Sequence, residues 1–140
     1  MRVIDMHTHI FPEKVAEKAT LATAEYFDLP EPPNHYGTVG ELEDVLREAG
    51  IDYAMVFSAA TSAHQVEHIN RYILSEAEKE PKFIPCGTLH ADYENYKEEL
   101  RWMRDHGIHG VMDMCSMLTR EGKDYAVAAG PVSYTHLRAH

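Results

Sequence analysis

Two histidines near the N-terminus, His7 and His9, are the residues best suited to chemistry. They follow the short segment Arg2–Met6, which is typical of a β-strand. Side chains alternate between the two faces of a strand, so Asp5, His7 and His9 are predicted to point to the same side. Two imidazoles held so closely can occupy neighbouring positions on one divalent metal ion. The bare His-x-His pattern leaves open a second interpretation, a polar strand end with solvated histidines.

Other histidines and one cysteine offer weaker candidates. His90 follows a predicted strand, so it is either a substrate contact at the same end of the fold or a solvated loop residue. His64 and His68 are four residues apart, a spacing that can clamp a metal on a helix. No third ligand is evident nearby in the sequence, so a solvated helix face is the favoured interpretation. Cys86 is interpreted as core packing rather than as a nucleophile.

The charge balance limits the partners of the protein. The 140 residues include 13 Lys and Arg against 23 Asp and Glu, which gives a formal net charge of −10 with neutral histidines. General nucleic-acid binding and anionic-membrane binding both need a basic face, so we expect neither. No apolar run reaches the ~20 residues of a membrane span. The two cysteines, Cys86 and Cys115, are too few for a disulfide framework and favour a cytoplasmic location.

Short strand-like segments alternate with segments of helical periodicity along the chain. The predicted strands are Arg2–Met6, Asp52–Phe57, Lys82–Thr88 and Ile108–Val111. The near-continuous apolar character of the second one is typical of a strand covered on both faces. Repeated alternation with short connections predicts right-handed βαβ units and a parallel sheet, so the predicted fold class is α/β. Such folds bind ligands at the carboxyl ends of their strands, where His7 and His9 lie.

Local signals predict where the helices begin and end. Thr38 and Glu41 match a capping box, and Gly50 supplies a left-handed stop for the same helix. Ser62–Gln65 is predicted to be a second capping box, and Asp92 is predicted to cap the last helix. The first helix is predicted to carry one apolar stripe, formed by Val15, Ala19, Ala22 and Tyr26.

The opening segment, Val3-Ile-Asp-Met-His-Thr-His9, resembles the first metal motif of the amidohydrolase superfamily. It is most similar to the amidohydrolase-related branch, which contains metal-dependent hydrolases and aminocarboxymuconate-semialdehyde-type decarboxylases. Further segments fall in the expected order and spacing, namely Asn70–Ile73, Pro81–His90 and Gly107–Val111, so the resemblance covers Arg2–Val111. It implies a (β/α)8 barrel with a catalytic metal, usually zinc, at the carboxyl ends of the strands. It also implies that His7 and His9 are metal ligands.

The same resemblance implies a metal-dependent hydrolase that activates water for attack on a C–N or C–O bond of a small-molecule substrate. The general base and the remaining ligands would come from later strands of the barrel, so no catalytic residue is assigned. His90 is the one candidate for contact with substrate, and the parent protein is compatible with a homo-oligomer. Two alternatives stay open. One is a metal-dependent carboxy-lyase of the same family. The other is a small non-catalytic α/β domain that binds metal or a partner through His7 and His9.

The resemblance is lost after Val111, where family members continue with Lys-Leu-His-Pro or a similar run and this chain has Met112–Cys115. The last nine residues, Val132–His140, resemble one reading frame of a transposon-end adapter used in sequencing libraries. We therefore expect residues 1–131 to be the N-terminal part of a TIM barrel, with a divergent stretch over 112–131, and 132–140 to be a non-native tail. Such a part is about half of a fold of ~250 residues. We expect it to be inactive, and poorly soluble or oligomeric, because its sheet edges are open.

Overall fold

The computed structural model describes residues 1–26, 28–31, 33–108 and 110–112. The predicted tail 132–140, Cys115 and all of the predicted stretch 112–131 except Met112 lie outside the described residues. The predicted division of the chain at residue 131 therefore stays a prediction. Within the described ranges, no helix combines the length and the apolar character that crossing a membrane requires.

Four parallel strands form the sheet, each close to its predicted position. They are β1 (Ile4–His9), β2 (Tyr53–Phe57), β3 (Phe83–Thr88) and β4 (Gly110–Met112). Their spatial order is β1-β2-β3-β4, the same as their order in the sequence. A doubly wound sheet reverses its strand order at a switch point, whereas a βα barrel keeps the sequence order. The described strands therefore follow the barrel arrangement.

Helices connect these strands, and local signals account for some of their ends. The helices are α1 (Glu13–Tyr26), α2 (Val39–Ala49), α3 (Val66–Lys79) and α4 (Tyr96–Asp105), with a short 3₁₀ helix, Ala63–Gln65, before α3. The predicted capping box of α2 is confirmed: the Thr38 hydroxyl accepts from the Glu41 N–H, and the Glu41 carboxylate accepts from the Thr38 N–H. Gly50 ends the helix with φ +66°, as predicted.

Two other predicted caps are wrong. The Ser62 side chain makes no capping hydrogen bond, because the Gln65 side chain instead accepts from both the backbone N–H and the hydroxyl of Thr61, at 3.0 Å each. The residue at the N-cap position of α4 is Asn95 rather than Asp92, so this helix begins three residues later than a cap at Asp92 implies, and the Asn95 side chain makes no capping hydrogen bond. Residue spacing alone does not reveal which local hydrogen bonds form.

The core lies between the sheet and the helices that follow it. Leu46 of α2 and Ile73 of α3 are buried against Ala54 and Val56 of β2. A second cluster joins α3, α4 and the segments after β2 and β3, and its buried members are Ala60, Val66, Leu89, Met103 and Ile108. Of the predicted apolar stripe of α1, Val15 is 46% exposed and Ala22 is also exposed, whereas Ala16, which lies outside the stripe, is buried. α1 is therefore a surface helix inserted between β1 and α2.

A buried polar network joins α3, β3 and α4. The Asn70 side chain donates to the Thr88 carbonyl at 3.2 Å and accepts from the Thr88 N–H at 2.8 Å. Its amide also donates to Glu99 at 2.9 Å, and the Glu99 carboxylate takes two hydrogen bonds from Arg71. Asn70, Thr88 and Glu99 are all at most 3% exposed. The network fixes α3 and α4 against the carboxyl end of β3.

Candidate functional site

β1 carries His7 and His9 to the carboxyl end of the sheet and is fastened there to β2. The Thr8 hydroxyl donates to a main-chain carbonyl of β2 at 2.8 Å. The next residue after the strand, Ile10, is fully buried and donates its N–H to the Phe57 carbonyl at 2.9 Å. Anchors on both sides of His9 therefore hold the backbone of the pair where the strand ends.

The prediction that Asp5 points to the same side of β1 as the two histidines is wrong. The pairing of β1 with β2 shifts by one residue between Asp5 and Thr8, so simple alternation does not run through this part of the strand. Asp5 lies across from Ala54, whereas His9 lies across from Phe57. The Asp5 carboxylate instead accepts a hydrogen bond from the backbone N–H of His7 at 3.0 Å.

The two imidazoles point their Nε2 atoms at each other. The His7 and His9 Nε2 atoms are 3.0 Å apart, and the ring centroids are 5.0 Å apart with the planes tilted by 58°. Phe57 stacks against the ring of His7 at 5.1 Å, and Phe11 stacks against that of His9 at 6.3 Å. The two phenylalanines therefore restrict the orientation of the rings and leave both Nε2 atoms directed at one point.

The surroundings of His9 favour its neutral form. Burial lowers the pKa of His9 below its ordinary value of 6.5, and the neighbouring His7 lowers it further, because two positive charges repel. Near neutral pH the His9 imidazole is therefore uncharged and keeps a lone pair on one ring nitrogen. This is the form in which histidine binds a metal ion.

The pair fits two positions on one metal ion. Two nitrogens bonded to a tetrahedral zinc at about 2.0–2.1 Å lie about 3.3 Å from each other, close to the observed 3.0 Å. Among the described residues, no group of three or more His, Cys, Asp or Glu side chains is arranged to hold a metal. The part of the chain that the structure describes thus supplies two candidate ligands, His7 and His9, and the metal assignment stays a proposal.

His90 lies just after β3, and its position leaves the predicted substrate contact untested. Its Nδ1 accepts a hydrogen bond from the Asp92 N–H at 3.2 Å, so the neutral ring carries its proton on Nε2. The side chain is only 11% exposed. Within the described ranges, no hydrogen bond or ring contact joins His90 to His7 or His9.

The other candidates from the sequence lie apart from the pair. His64 lies in the 3₁₀ helix and His68 in the first turn of α3, both with exposed side chains, as a solvated helix face predicts. Cys86 is buried in β3, and burial raises the pKa of its thiol to about 11. A thiol with so high a pKa is a poor nucleophile, which agrees with its interpretation as core packing.

Sequence reasoning missed the aromatic walls of the site. The sequence pattern places Phe57 only within a strand covered on both faces and gives no role in the site to Phe11, yet each packs on one of the histidine rings. Aligning β2 with β1 by their ends would have placed Phe57 beside His9, its partner in the register. The position of Phe11 depends on the turn after β1, which has no marker in the sequence.

No protein-family model and no curated protein matches the chain. Among solved structures, an amidohydrolase II matches it with a TM-score of 0.55 and 19% identity, over 78% of this chain and 39% of its own. A probable 2-pyrone-4,6-dicarboxylic acid hydrolase from Acinetobacter baumannii, with citric acid bound, matches with a TM-score of 0.48 and 19% identity, over 79% and 37% of the two chains.

The chain therefore spans less than two fifths of the length of these two structures. A sequence identity of 19% shows that the fold is shared and shows nothing about activity. Together with the sequential order of the parallel strands, the likeness to the amidohydrolase II structure confirms the predicted fold, a part of a (β/α)8 barrel.

Proposed function

We propose that this chain is part of a metal-dependent hydrolase of the amidohydrolase type, in which His7 and His9 bind a divalent metal, zinc in the first instance. The observation that carries the proposal is the approach of their two Nε2 atoms to 3.0 Å at the carboxyl end of β1. Enzymes built on βα barrels place their active sites at this end of the strands. The sequence motif from Val3 to His9 supports the same assignment.

The residues around the pair have positioning roles in this proposal. Phe57 and Phe11 keep the two rings in place and exclude water from one side of each imidazole. The hydrogen bond from the His7 N–H to Asp5 fixes the backbone of the shifted part of β1. A bound zinc ion supplies a Lewis acid and lowers the pKa of water to about 7, which suits hydrolysis of a C–N or C–O bond.

The remaining parts of the site are assigned by their chemistry. A catalytic zinc ion takes about three protein ligands, so at least one more must join His7 and His9 from beyond the residues described here. The general base has the same origin in this proposal. His90 contributes substrate contact through its Nε2–H, since its Nδ1 is occupied by the Asp92 N–H.

Zinc binding by variants tests the metal assignment. We expect the metal-free chain to take up one more equivalent of Zn²⁺ in equilibrium dialysis than the His7→Ala/His9→Ala variant. His35→Ala is the matched control, because it removes an exposed imidazole that lies 3.7 Å from the Glu41 carboxylate and is not a proposed ligand. Unchanged zinc stoichiometry and affinity in the double variant would remove the central assignment.

The reaction class is tested on the zinc-loaded full-length protein that carries this sequence. Zinc-dependent hydrolysis of an ester, amide or lactone that is lost in the His7→Ala/His9→Ala variant supports the hydrolase. Zinc-dependent release of CO₂ from a carboxylic acid without hydrolysis would replace it by a carboxy-lyase. Zinc binding with neither reaction would leave a metal-binding domain.

A further inference from the structure

One face at the start of α3 carries four polar side chains directed into the same cavity. His64, Glu67, His68 and Arg71 follow the spacing i, i+3, i+4 and i+7. The backbone between the 3₁₀ helix and α3 stays in the right-handed helical region, so this spacing keeps the four on one side. Together with Tyr93, from the segment after β3, they line a cavity of about 460 Å³.

Two of these side chains have no partner in the part of the chain that the structure describes. Within residues 1–26, 28–31, 33–108 and 110–112, neither His64 nor His68 takes part in a hydrogen bond, an ion pair or a ring contact. Both imidazoles are exposed and border the cavity. Their ring nitrogens are therefore available to a ligand without breaking any contact among the described residues.

The other polar groups of the cavity are held in place. The Tyr93 hydroxyl donates to the Glu67 carboxylate at 2.6 Å, and its pKa is raised by burial and by the neighbouring carboxylate, so it remains a donor. Arg71 makes two hydrogen bonds with Glu99, and its guanidinium lies 3.3 Å from the centre of the Trp102 ring. The cavity thus has fixed polar walls and two imidazoles that are free of contacts with other described residues.

The charges of this cavity favour a cation. The charge of Arg71 is offset by Glu99 within hydrogen-bonding distance, whereas the hydrogen-bond partner of Glu67 is the neutral hydroxyl of Tyr93. The chain as a whole carries a formal charge of −10. Imidazole nitrogens suit Zn²⁺, Ni²⁺ and Cu²⁺, whereas Mg²⁺ and Ca²⁺ require oxygen ligands.

We propose that His64 and His68 form a second binding site, for a divalent transition-metal ion, that is independent of His7 and His9. Glu67 is not a ligand in this site. Its carboxylate, fixed by Tyr93, supplies negative charge beside the ion. No group of three or more potential ligands converges among the described residues, so water completes the coordination and the ion exchanges readily.

A bound ion would also serve the helix itself. Neither the 3₁₀ helix nor α3 has a side-chain capping hydrogen bond at its N-terminus. An ion held by His64 and His68 would link one turn of the helix to the next at this uncapped start. Metal binding is therefore expected to raise the melting temperature of the chain as well as to occupy the site.

Nickel titration of four chains tests the proposal. Isothermal titration with Ni²⁺ is carried out on the metal-free wild type, His64→Ala/His68→Ala, His7→Ala/His9→Ala and the fourfold variant. We expect the His64→Ala/His68→Ala variant to lose one equivalent of Ni²⁺ and the associated rise in melting temperature. We expect the His7→Ala/His9→Ala variant to keep the equivalent bound by His64 and His68 and the rise in melting temperature that accompanies it.

Two further measurements secure the assignment. Glu67→Gln is expected to retain the equivalent with weaker affinity, because it removes a charge and no ligand. In the unaltered chain, paramagnetic Cu²⁺ is expected to broaden the NMR signals of His64 and His68. Unchanged nickel stoichiometry in the His64→Ala/His68→Ala variant, or the absence of that broadening at saturation, would overturn the proposal.

Discussion

The buried carboxylate of Glu99 is expected to contribute strongly to the stability of the described fold. It is 3% exposed and accepts a hydrogen bond from Asn70 and two from Arg71. Replacement of Glu99 by Ala removes all three. The change therefore removes the polar contacts of Glu99 that join α4 to α3.

The magnitude follows from what each partner loses. One buried N–H of the Asn70 amide is left without an acceptor, which costs about 1–3 kcal/mol. Arg71 is 38% exposed, so water replaces its lost bonds and its share stays below about 1 kcal/mol. The buried methylene adds about 0.8 kcal/mol, while relief of the carboxylate's desolvation opposes these losses. We expect the free energy of unfolding to fall by about 2–4 kcal/mol.

Urea denaturation followed by circular dichroism measures this difference. Glu98→Ala is the matched control, because Glu98 is the preceding residue and makes an exposed ion pair with Arg101, with exposed fractions of 67% and 61%. We expect this control to change stability by less than about 0.5 kcal/mol. Equal effects of Glu98→Ala and Glu99→Ala would refute the reasoning, since the burial of Glu99 would then carry no energetic consequence.

Two further predictions concern a cap and a glycine. Glu41→Gln is expected to lower stability at pH 7, because the Thr38 N–H that donates to the carboxylate holds the pKa of Glu41 below 4.5. This contribution to stability is present above pH 4.5 and is lost as the pH falls through the lowered pKa. Urea denaturation of both chains across pH 3–7 measures it. Gly87→Ala is expected to lower the free energy of unfolding by about 1–3 kcal/mol in urea denaturation, because a Cβ there would lie 2.2 Å from the sulfur of the buried Met103. The control Gly40→Ala, with no atom within 4 Å of the added Cβ, is expected to stabilise by up to about 1 kcal/mol, and a loss there equal to that at Gly87 would contradict the steric argument.

Features that depend on a few neighbouring residues were predictable from the sequence. The strand Tyr53–Phe57 and the capping box of Thr38 with Glu41 follow from an apolar run and from a four-residue pattern. The capping box predicted at Ser62–Gln65 does not form, because the Gln65 side chain accepts hydrogen bonds from Thr61, one residue earlier. Local patterns identify which groups can bond, and the backbone conformation then selects among them.

Features that depend on distant segments were not predictable in the same way. Helical spacing places the side chains of a stripe on one face, but it does not say what covers that face, and Val15 of α1 is exposed. The shift that separates Asp5 from the histidines depends on how β1 pairs with β2. Glu99 did leave a signal, because it falls between Tyr96 and Met103 on the apolar side of α4.

The different surroundings of the buried Glu99 and the half-buried His9 support the proposed metal-binding role of the histidine pair. The buried carboxylate of Glu99 is satisfied within the fold, since two side chains of α3 donate hydrogen bonds to it. His9 is half-buried, which lowers its pKa, and among the described residues the partner of its Nε2 atom is His7, a group of the same kind. Two identical imidazoles can share at most one proton between their facing nitrogens, a weak return for burial. A divalent ion bound by both nitrogens would offset that cost. This agrees with the general observation that titratable groups with perturbed pKa values concentrate at functional sites.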